Sequence, residues 1–381
     1  MSDTQKIQVH TVEDDTVSGT ALQPHAYNDP ALLRLELREF FYKQWQFAGH
    51  VNDVTKTGDY LTFEIGNNSV IVIRGEDGEL RAFQNVCRHR ASRILEGKGH
   101  CDKVIQCPYH GWAYNLDGGL RGMPSMQSFP DLDKSQHGLK PVGIELFFGF
   151  IFVKIVDEPA LGVAESFGDS VRHLRAYDLQ NYIKVNESID QIWNVNWKVA
   201  WDNYQENYHI PVGHPGLNRL LEAPDEEESL SSGVSYSIFP MRSETSSDKD
   251  EALYQQLAQH SDHRVPERYR RAWPQFGFPH GLGLDFYPEM LDVFQLIPLS
   301  VNKTLVRAHF YGPKDPSEGE LALREVNIRI NTLVNDEDKT LCERVQRGLQ
   351  TDGYSPGPLS LLESSVSQFH NDVRKKIPGA A

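Results

Sequence analysis

The apolar positions of the chain change their spacing along its length, and this change divides it into segments. Near residue 30 they follow a helical stripe formed by Leu32, Leu33, Leu35, Phe40, Phe41 and Trp45. Asp29 followed by Pro30 is typical of a helix start, with an N-cap residue and a proline in the first turn. We therefore predict a helix near 30–45, preceded by a polar, loosely held arm over 1–27. The segment 1–44 is assigned to this arm and helix.

From about residue 50 the apolar positions alternate with polar ones, which is the spacing of β-strands. Strands are predicted at 60–65, 70–73, 80–83 and 147–153. The last of these is apolar enough to be buried on both faces. A small antiparallel β domain is therefore predicted over 45–156. Asp157 and Pro159 mark its boundary with a second domain over 157–381.

The second domain contains one long predicted helix over 319–350. Its apolar stripe consists of Ile330, Val334, Leu341, Val345 and Leu349. Asp338 falls on this stripe, where an ionised carboxylate is costly unless it is paired or bound to a metal. The alternative is that Asp338 pairs with a buried arginine or lies at the edge of the stripe. Asp336 and Glu337 fall beside the stripe and are expected to be solvated charges.

Two short segments of the β domain combine cysteine with histidine. The first is Cys87-Arg88-His89 and the second is Cys107-Pro108-Tyr109-His110, with 17 residues between them. In a Rieske centre two cysteines bind one iron of a [2Fe–2S] cluster and two histidines bind the other. The predicted cluster ligands are Cys87, His89, Cys107 and His110.

The alternative for these ligands is a structural zinc site, since zinc accepts the same two cysteines and two histidines. Zinc fingers usually present C-x-x-C followed by a pair of histidines, so that like ligands are adjacent. Here each segment offers one ligand of each kind. This mixed spacing favours the Rieske interpretation.

A second group of candidate site residues lies between residues 197 and 214. On a helix, Asp202, Glu206 and His209 occupy positions i, i+4 and i+7, and hence one face. A proline and a glycine before His214 are expected to end this helix. His214 would then follow in a loop and converge on His209.

Two histidines and one carboxylate form the facial triad of non-haem Fe(II) oxygenases. Asp338 is the best candidate to complete such a triad with His209 and His214. One-electron iron–sulfur chemistry beside an iron with open coordination positions indicates activation of O2.

Composition and charge restrict the function classes. The chain has 381 residues, 39% hydrophobic and 24% charged, which is ordinary for a globular protein of two domains. Its formal net charge of −15 argues against nucleic acid and anionic membranes as partners. Four cysteines, no signal-peptide pattern and no long apolar run predict a cytoplasmic protein. Acidic, serine-rich stretches near 225–233 and 243–251 are expected to be solvated, mobile loops.

Taken together, the chain resembles the catalytic α subunit of a Rieske non-haem iron oxygenase, the ring-hydroxylating oxygenase family, over about residues 30–370. The resemblance implies an α+β protein: an antiparallel Rieske [2Fe-2S] domain plus a catalytic domain with a helix-flanked, helix-grip-like antiparallel sheet. It also implies O2 as co-substrate and a homotrimer in which each cluster serves the neighbouring subunit's iron. Glu206 stands where the family has a bridging carboxylate, usually aspartate, and is therefore the candidate bridge between the two centres. Asp202, on the same predicted helix face, is the second candidate catalytic carboxylate.

The sequence has no flavin or nicotinamide motif, so electrons are expected from a separate flavin/iron–sulfur reductase or a ferredoxin. The small-molecule substrate is less well defined. Aromatic residues at 276–287, together with Tyr204, Tyr208 and Phe294, suit either an aromatic ring or a quaternary ammonium group. The segment 209–221 resembles that of ring-hydroxylating members, and this resemblance favours an aromatic or related carboxylated substrate. Glutamate at position 206 resembles the branch acting on carnitine and betaines, which is the alternative, and mono- and dioxygenation are not separated.

Two other classes compete with an oxygenase. A Rieske electron carrier needs only the first domain and would hold two irons rather than three, which leaves His209, His214 and Asp338 without a purpose. A zinc-stabilised binding module would be colourless. An iron count separates the three classes.

Overall fold

The computed structural model describes residues 19–260, 264–278 and 281–380. Within them the chain forms two large antiparallel sheets together with helices, which confirms the predicted α+β class. The division into 1–44, 45–156 and 157–381 stays a prediction about folding units. In the described part of the chain, no helix combines the length and apolar composition needed to cross a bilayer.

The strands of the first half form one seven-stranded and one three-stranded sheet. They are β1 Gln46–His50, β2 Asp59–Ile65, β3 Asn68–Arg74, β4 Leu80–Gln84, β5 Lys98–His100, β6 Ile105–Gln106, β7 Ala113–Tyr114, β8 Leu120–Gly122, β9 Pro141–Phe147 and β10 Phe150–Lys154. The large sheet has the order β1-β10-β9-β4-β3-β2-β5, and β6-β7-β8 form the small one. The strands predicted at 60–65, 70–73 and 80–83 are β2, β3 and β4.

The strand predicted over 147–153 is a hairpin instead. Phe147, the last residue of β9, pairs with Phe150, the first residue of β10. Between them, Phe148 and Gly149 have φ angles of 50° and 83°. Two successive left-handed residues are what tight hairpins require. Phenylalanine is a poor signal for such a turn, so the continuous apolar run concealed it.

The second half contributes an eight-stranded sheet. Its strands are β11 Ile183–Lys184, β12 Ile189–Trp193, β13 Glu226–Ser229, β14 Ser235–Pro240, β15 Ala272–Phe278, β16 Leu282–Phe286, β17 Leu291–Ser300 and β18 Lys303–Gly312. They follow the order β11-β18-β17-β16-β15-β14-β13, and β12 also pairs with β18.

The helices connect and cover these sheets. They are α1 Pro24–Asn28, α2 Pro30–Glu36, α3 Val163–Phe167, α4 Val171–Leu174, α5 Trp197–Tyr204, α6 Ile210–Gly213, α7 Pro215–Leu220, α8 Lys249–His260, α9 Glu267–Arg270, α10 Glu318–Leu349 and α11 Ser364–Lys376. A π-helical turn over Leu37–Tyr42 continues α2. Asp29 caps α2 by accepting a hydrogen bond from the Ala31 N–H at 2.7 Å, so the helix predicted near 30–45 is confirmed over 30–42.

The arm predicted over 1–27 lies outside the described residues as far as residue 18. The rest of it is held rather than loose. Tyr27, in α1, is buried, and its hydroxyl donates to Asp202 at 2.9 Å. The N-terminal helices therefore pack on the second domain.

Helix α10 confirms the prediction over 319–350, but its buried face is rotated from the predicted stripe. Val345 is 52% exposed, whereas Cys342 and Gln346 are buried. The Gln346 side chain accepts a hydrogen bond from the Asn196 N–H at 2.7 Å, at the start of α5. Contact with α5 therefore decides which face of this end of α10 is covered.

The two predicted acidic loops are partly ordered. β13 lies within the first, and α8 begins at Lys249 within the second. Glu226 of β13 contacts Arg268 at 2.5 Å and His173 at 3.1 Å and also pairs with Arg172. Glu226 is therefore paired with basic side chains, whereas the composition predicted a solvated acidic loop.

A buried ion pair lies where the N-terminal helices meet α5. Lys198 Nζ is 2.5 Å from Glu36 Oε1, and both side chains are fully buried. The Trp197 indole N–H donates to the other oxygen of Glu36 at 2.7 Å. Removing one partner of such a pair typically costs about 3–5 kcal/mol. This pair fixes α5, the helix that leads to His209, against the N-terminal segment.

Candidate metal centres and substrate cavity

The two Cys/His loops of the first domain have the same backbone design. The N–H of Cys87 donates to Ser92 O at 2.8 Å, and the N–H of Cys107 donates to Trp112 O at 2.8 Å. In each loop the residue four positions after the cysteine is left-handed and donates to the cysteine carbonyl: Ala91, with φ 57°, and Gly111, with φ 71°. Two equivalent turns therefore present one cysteine and one histidine each.

The side chains of these loops suit a cluster. Cys87 and Cys107 are buried, and the rings of His89 and His110 lie 4.7 Å apart. The Nδ1 atom of His89 is buried without a hydrogen-bond partner in the described part of the chain. A buried ring nitrogen without a partner is unusual in a protein, and ligation of a metal explains it.

Aromatic residues surround this pair of loops. Trp112 stacks on His89, with ring centroids 5.0 Å apart and an interplanar angle of 3°. The Tyr114 hydroxyl lies 3.3 Å from Cys87 Sγ and accepts a hydrogen bond from the Arg88 N–H at 2.9 Å. When Cys87 ligates a metal it is a thiolate without a proton, so the Tyr114 hydroxyl would then be the donor to the sulfur.

In the second domain, His209, His214 and Asp338 converge. The Nε2 atoms of the two histidines lie 3.1 Å apart, and Asp338 Oδ1 lies 2.8 Å from that of His214 and 3.6 Å from that of His209. Three ligands on one face of an octahedron, each about 2.1 Å from the metal, are separated by about 3 Å. The described residues thus provide a set that fits a facial triad.

Each histidine of the triad is held by a second carboxylate. His209 Nδ1 donates to Glu206 at 2.5 Å, and His214 Nδ1 donates to Glu337 at 2.8 Å. A histidine that donates one ring N–H to a carboxylate offers its other nitrogen to a metal. Both Nε2 atoms are therefore directed at the centre of the triad.

In the metal-free triad, the close contact of the three side chains shifts the pKa values of His209 and Asp338. Burial lowers the pKa of His209, but its hydrogen bonds to Asp338 and Glu206 outweigh burial and raise that pKa to about 9. Burial raises the pKa of Asp338, but hydrogen bonds from the two histidines bring it below its usual value. Metal ligation requires neutral imidazoles, so a metal would displace these protons.

The backbone around His209 differs from the sequence prediction. A single helix was expected from Asp202 through His209, ending at the proline, but α5 ends at Tyr204 and the short α6 follows His209. The Glu206 carboxylate accepts hydrogen bonds from the backbone N–H groups of Tyr208 and His209 at 2.5 and 3.1 Å. These side-chain bonds satisfy donors that a continuous helix would use, so the helix stops.

Asp202 therefore does not share a helical face with His209. Its carboxylate accepts hydrogen bonds from Tyr27 at 2.9 Å and His370 at 3.0 Å. Asp202 is not among the described residues that line the cavity beside the triad. Glu206, in contrast, touches His209 directly.

A cavity of about 130 Å³ opens beside the triad. Its lining includes His209, His214, Asp338, Glu206, Asn203, Tyr204, Phe239, Trp273, Gln275, Asp285, Phe286, Tyr287, Asp292, Phe294 and Asn331. Of the aromatic residues expected to form the pocket, Tyr204, Phe286, Tyr287 and Phe294 do so. Phe276 and Phe278 are core residues, and Tyr208 is 59% exposed.

Known protein families match both halves of the chain. Residues 44–137 match the Rieske [2Fe-2S] domain, and residues 170–379 match the ring hydroxylating alpha subunit (catalytic domain). The chain belongs to the Rieske non-haem iron oxygenases, as a catalytic α subunit. Members of this family hold a Rieske [2Fe–2S] cluster and a non-haem iron and use O2, so the predicted family, enzyme class and cofactors are confirmed.

Several relatives carry specific names. The chain is 32% identical to the glycine betaine monooxygenase oxygenase subunit of Chromohalobacter salexigens over 362 residues, 88% of this chain and 80% of the relative. It is 30% identical to the chloroplastic choline monooxygenase of Beta vulgaris over 370 residues, 95% and 78% of the two chains. A quaternary ammonium Rieske monooxygenase solved in complex with L-carnitine has the same fold, with a TM-score of 0.78, 23% identity and coverage of 97% and 100%.

Sequence reasoning missed several residues of this site. Glu337 was expected to be a solvated charge, but it holds His214. Asn203 Nδ2 lies 3.3 Å from His209 Nε2. Asp285 and Asp292 line the cavity although they lie on buried strands. The position of Glu337 next to Asp338 in the sequence could have indicated its place in the site. Asp285 and Asp292, in contrast, are brought together only by the register of their strands.

Proposed function

We propose that this protein is a monooxygenase that acts on a quaternary ammonium compound, the alternative among the substrate classes considered from the sequence. The cavity beside the triad carries this proposal: it combines aromatic walls with carboxylates, and none of its described lining residues is lysine or arginine. Aromatic faces and anions attract an ammonium group. The names of the relatives support the same class, so the initial preference for an aromatic or carboxylated substrate is replaced.

In this proposal Cys87, His89, Cys107 and His110 hold the cluster, and a second group of residues holds the mononuclear iron: His209, His214 and Asp338. When bound, the cluster supplies electrons one at a time, and the iron supplies open coordination positions for reaction with O2. The orphan His89 nitrogen and the spacing of the triad atoms support these assignments.

The chain's own residues prepare the site. Glu206 and Glu337 hold the two histidine rings, each through its Nδ1 proton. Tyr204 and Phe294 stack with ring centroids 5.0 Å apart and form one wall of the cavity. Such walls exclude water and orient a bound substrate toward the triad.

We also propose the homotrimer and the bridging role of Glu206. Tyr208 and Val212, on either side of His209, are 59% and 88% exposed, and Tyr109 beside His110 is 56% exposed. Exposed apolar residues beside both centres suit a contact in which a partner subunit brings its cluster toward Glu206. Sedimentation of wild type and a Val212→Glu variant tests this contact: a trimer that the variant dissociates supports it, and a wild-type monomer contradicts it.

Electrons would come from a separate reductase or ferredoxin, since the sequence has no nucleotide-binding motif. The cationic side chains near the cluster are already engaged in part. Arg93 pairs with Glu64 at 2.5 Å, and Arg88 donates to the Gly138 carbonyl at 3.1 Å. Arg90 lies over the Tyr109 ring at 5.2 Å and remains a candidate for contact with an acidic partner.

The test is turnover with defined cofactor content. The protein is loaded with iron and sulfide, supplied with electrons by a ferredoxin and its reductase, and offered choline, glycine betaine, L-carnitine and benzoate. We expect O2 consumption coupled to an oxidised product from at least one quaternary amine. Turnover of benzoate and of none of the amines would overturn the proposal. An iron count of two per chain, rather than three, would contradict the mononuclear site.

A further inference from the structure

Two aspartates face each other across neighbouring strands inside the cavity. Asp285 of β16 is directly paired in register with Asp292 of β17. Both line the same cavity as Asp338 of the triad. Like charges at directly opposite positions destabilise a sheet. A buried pair of this kind therefore needs a compensating partner.

The structure provides that partner for only one of the two. Asp285 accepts a hydrogen bond from the Tyr204 hydroxyl at 2.8 Å. Asp292 is 4% exposed, and its Oδ1 atom has no hydrogen-bond partner among the described residues. Leaving a polar atom buried and unpaired destabilises the folded state. Asp292 belongs to the cavity wall, so a positive group that enters the cavity would compensate the charge of its carboxylate.

Protonation lessens the repulsion while the cavity holds no ligand. Burial raises the pKa of Asp285 to about 7 and raises that of Asp292 well above its usual value. A cation in the cavity would favour the ionised forms and displace these protons.

Aromatic rings complete the surroundings of the pair. Trp273 and Tyr287 line the cavity in an edge-to-face contact, with ring centroids 4.8 Å apart. Phe294, two residues after Asp292, stacks on Tyr204. Aromatic faces stabilise an alkylammonium group that cannot donate hydrogen bonds. Together, the aromatic rings and the carboxylates can bind a quaternary ammonium group as well as a protonated amine.

Apart from the histidines of the triad, the described lining offers no cationic side chain to an anion. None of its described residues is lysine or arginine, and its neutral donors are amides such as Asn203, Gln275 and Asn331. Amides suit a hydroxyl group, whereas a substrate carboxylate would meet the charges of Asp285, Asp292 and Glu206. Among substrates that share an ammonium group, this repulsion would disfavour those that also carry a carboxylate.

We propose that Asp285 and Asp292 bind the positive group of the substrate, and that the substrate is an organic cation without a carboxylate. This inference rests on the proposed function and narrows it: a cationic amino alcohol such as choline is preferred over zwitterions such as glycine betaine and L-carnitine. Asp292 is a specificity-determining residue in this proposal.

The first experiment uses wild-type, iron-loaded enzyme without O2. Calorimetry compares choline with 3,3-dimethylbutan-1-ol, which has the same shape without the charge, and with glycine betaine. An ion pair across a desolvated contact corresponds, toward the lower end of its range, to an affinity difference of about 10- to 100-fold. We expect choline to bind more tightly than both other compounds by that factor. Equal affinity for choline and its neutral analogue would overturn the inference.

The second experiment uses Asp292→Asn, with Asp190→Asn as the control, because Asp190 pairs with Arg307 outside the cavity lining. We expect Asp292→Asn to weaken choline binding about 10- to 100-fold and to leave the neutral analogue unchanged. Its thermal stability should rise, since one of two facing carboxylates is removed. Unchanged choline affinity in this variant would contradict the role of Asp292.

These outcomes separate the inference from the function on which it rests. Faster turnover of glycine betaine or L-carnitine than of choline would overturn the inference and leave a quaternary ammonium monooxygenase in place. Turnover of benzoate without turnover of any amine would remove both. Turnover of choline above the zwitterions, lost in Asp292→Asn, supports both.

Discussion

His214 donates its Nδ1 proton to Glu337 at 2.8 Å, and the adjacent residue in the chain is Asp338, which lies 2.8 Å from Nε2 of the same ring. Two consecutive residues of α10 thus contact opposite nitrogens of one imidazole. A single turn of helix thus provides one proposed ligand, Asp338, and the residue that orients another, His214.

Glu337→Gln should weaken iron binding, because an amide holds the His214 ring less strongly and does not increase its basicity. Loss of such a partner typically lowers metal affinity about 10- to 100-fold. Titration of the metal-free protein with Fe(II) in the presence of a competing chelator measures this change. Asp336→Asn is the matched control, since Asp336 accepts a hydrogen bond from Gln191 outside the triad. Equal affinities in the two variants would contradict the prediction.

Tyr114→Phe should lower the reduction potential of the cluster, because it removes the hydroxyl that points at Cys87 Sγ. Hydrogen bonds to ligand sulfurs stabilise the reduced, more negative cluster. A redox titration followed by the spectrum of the reduced cluster measures the potential. Tyr109→Phe is the control, since Tyr109 lies beside the proposed ligand His110 but is exposed. A potential that does not change in Tyr114→Phe would show that this hydroxyl has no such effect.

The two equivalent loop turns predict opposite effects of exchanging alanine and glycine. Gly111→Ala should destabilise the protein by about 1–2 kcal/mol, the cost of a left-handed residue with a side chain, and its Cβ would lie 3.2 Å from Pro124. Ala91→Gly should relieve strain of a similar size at φ 57°. Chemical denaturation of both variants measures the free energies of unfolding. A Gly111→Ala variant as stable as wild type would contradict this account.

Stability should fall in acid because of His309 at the junction of the two domains. Its ring lies 5.3 Å from that of Phe47 in β1, and burial lowers its pKa from 6.5 to about 3. The unfolded chain therefore binds this proton more readily than the folded one. The contribution to stability is fully present above pH 6.5 and is lost as the pH falls toward 3.

Free energies of unfolding for wild type and His309→Gln between pH 7 and pH 4 check this prediction. The variant cannot take up the proton, so its dependence on pH should be weaker. Parallel curves for the two proteins would assign the acid sensitivity to other groups.

The approach of the two Cys/His loops was predictable because the two residues that each loop contributes are close in sequence. Cys87 and His89, like Cys107 and His110, belong to single turns whose geometry depends on a few residues. The proximity of Asp338 to His209 and His214 was predictable because a carboxylate on an apolar stripe is costly unless a partner compensates its charge. Long-range packing was needed to see that Gln346 and Cys342, rather than Val345, face α5.

What could not be predicted depends on side chains that compete with the backbone. Glu206 takes two backbone N–H groups that a helix would have used, and no periodicity reveals that exchange. Phe148 adopts a left-handed turn conformation that its residue type does not suggest. Asp285 and Asp292 meet through the register of β16 and β17, which their separation in the sequence leaves open.

Tyr204 is the last residue of α5, and its hydroxyl holds Asp285 while its backbone leads two residues later to Glu206. One residue is thus shared between the proposed cation site and the segment that carries the first histidine of the triad. The residues that line the cavity therefore differ in how freely they can be substituted to fit a new substrate. Phe239, on β14, is open to change, whereas replacement of Tyr204 alters both the proposed cation site and the segment that carries His209. Efforts to change the substrate of this enzyme should begin at Phe239 and leave Tyr204 in place.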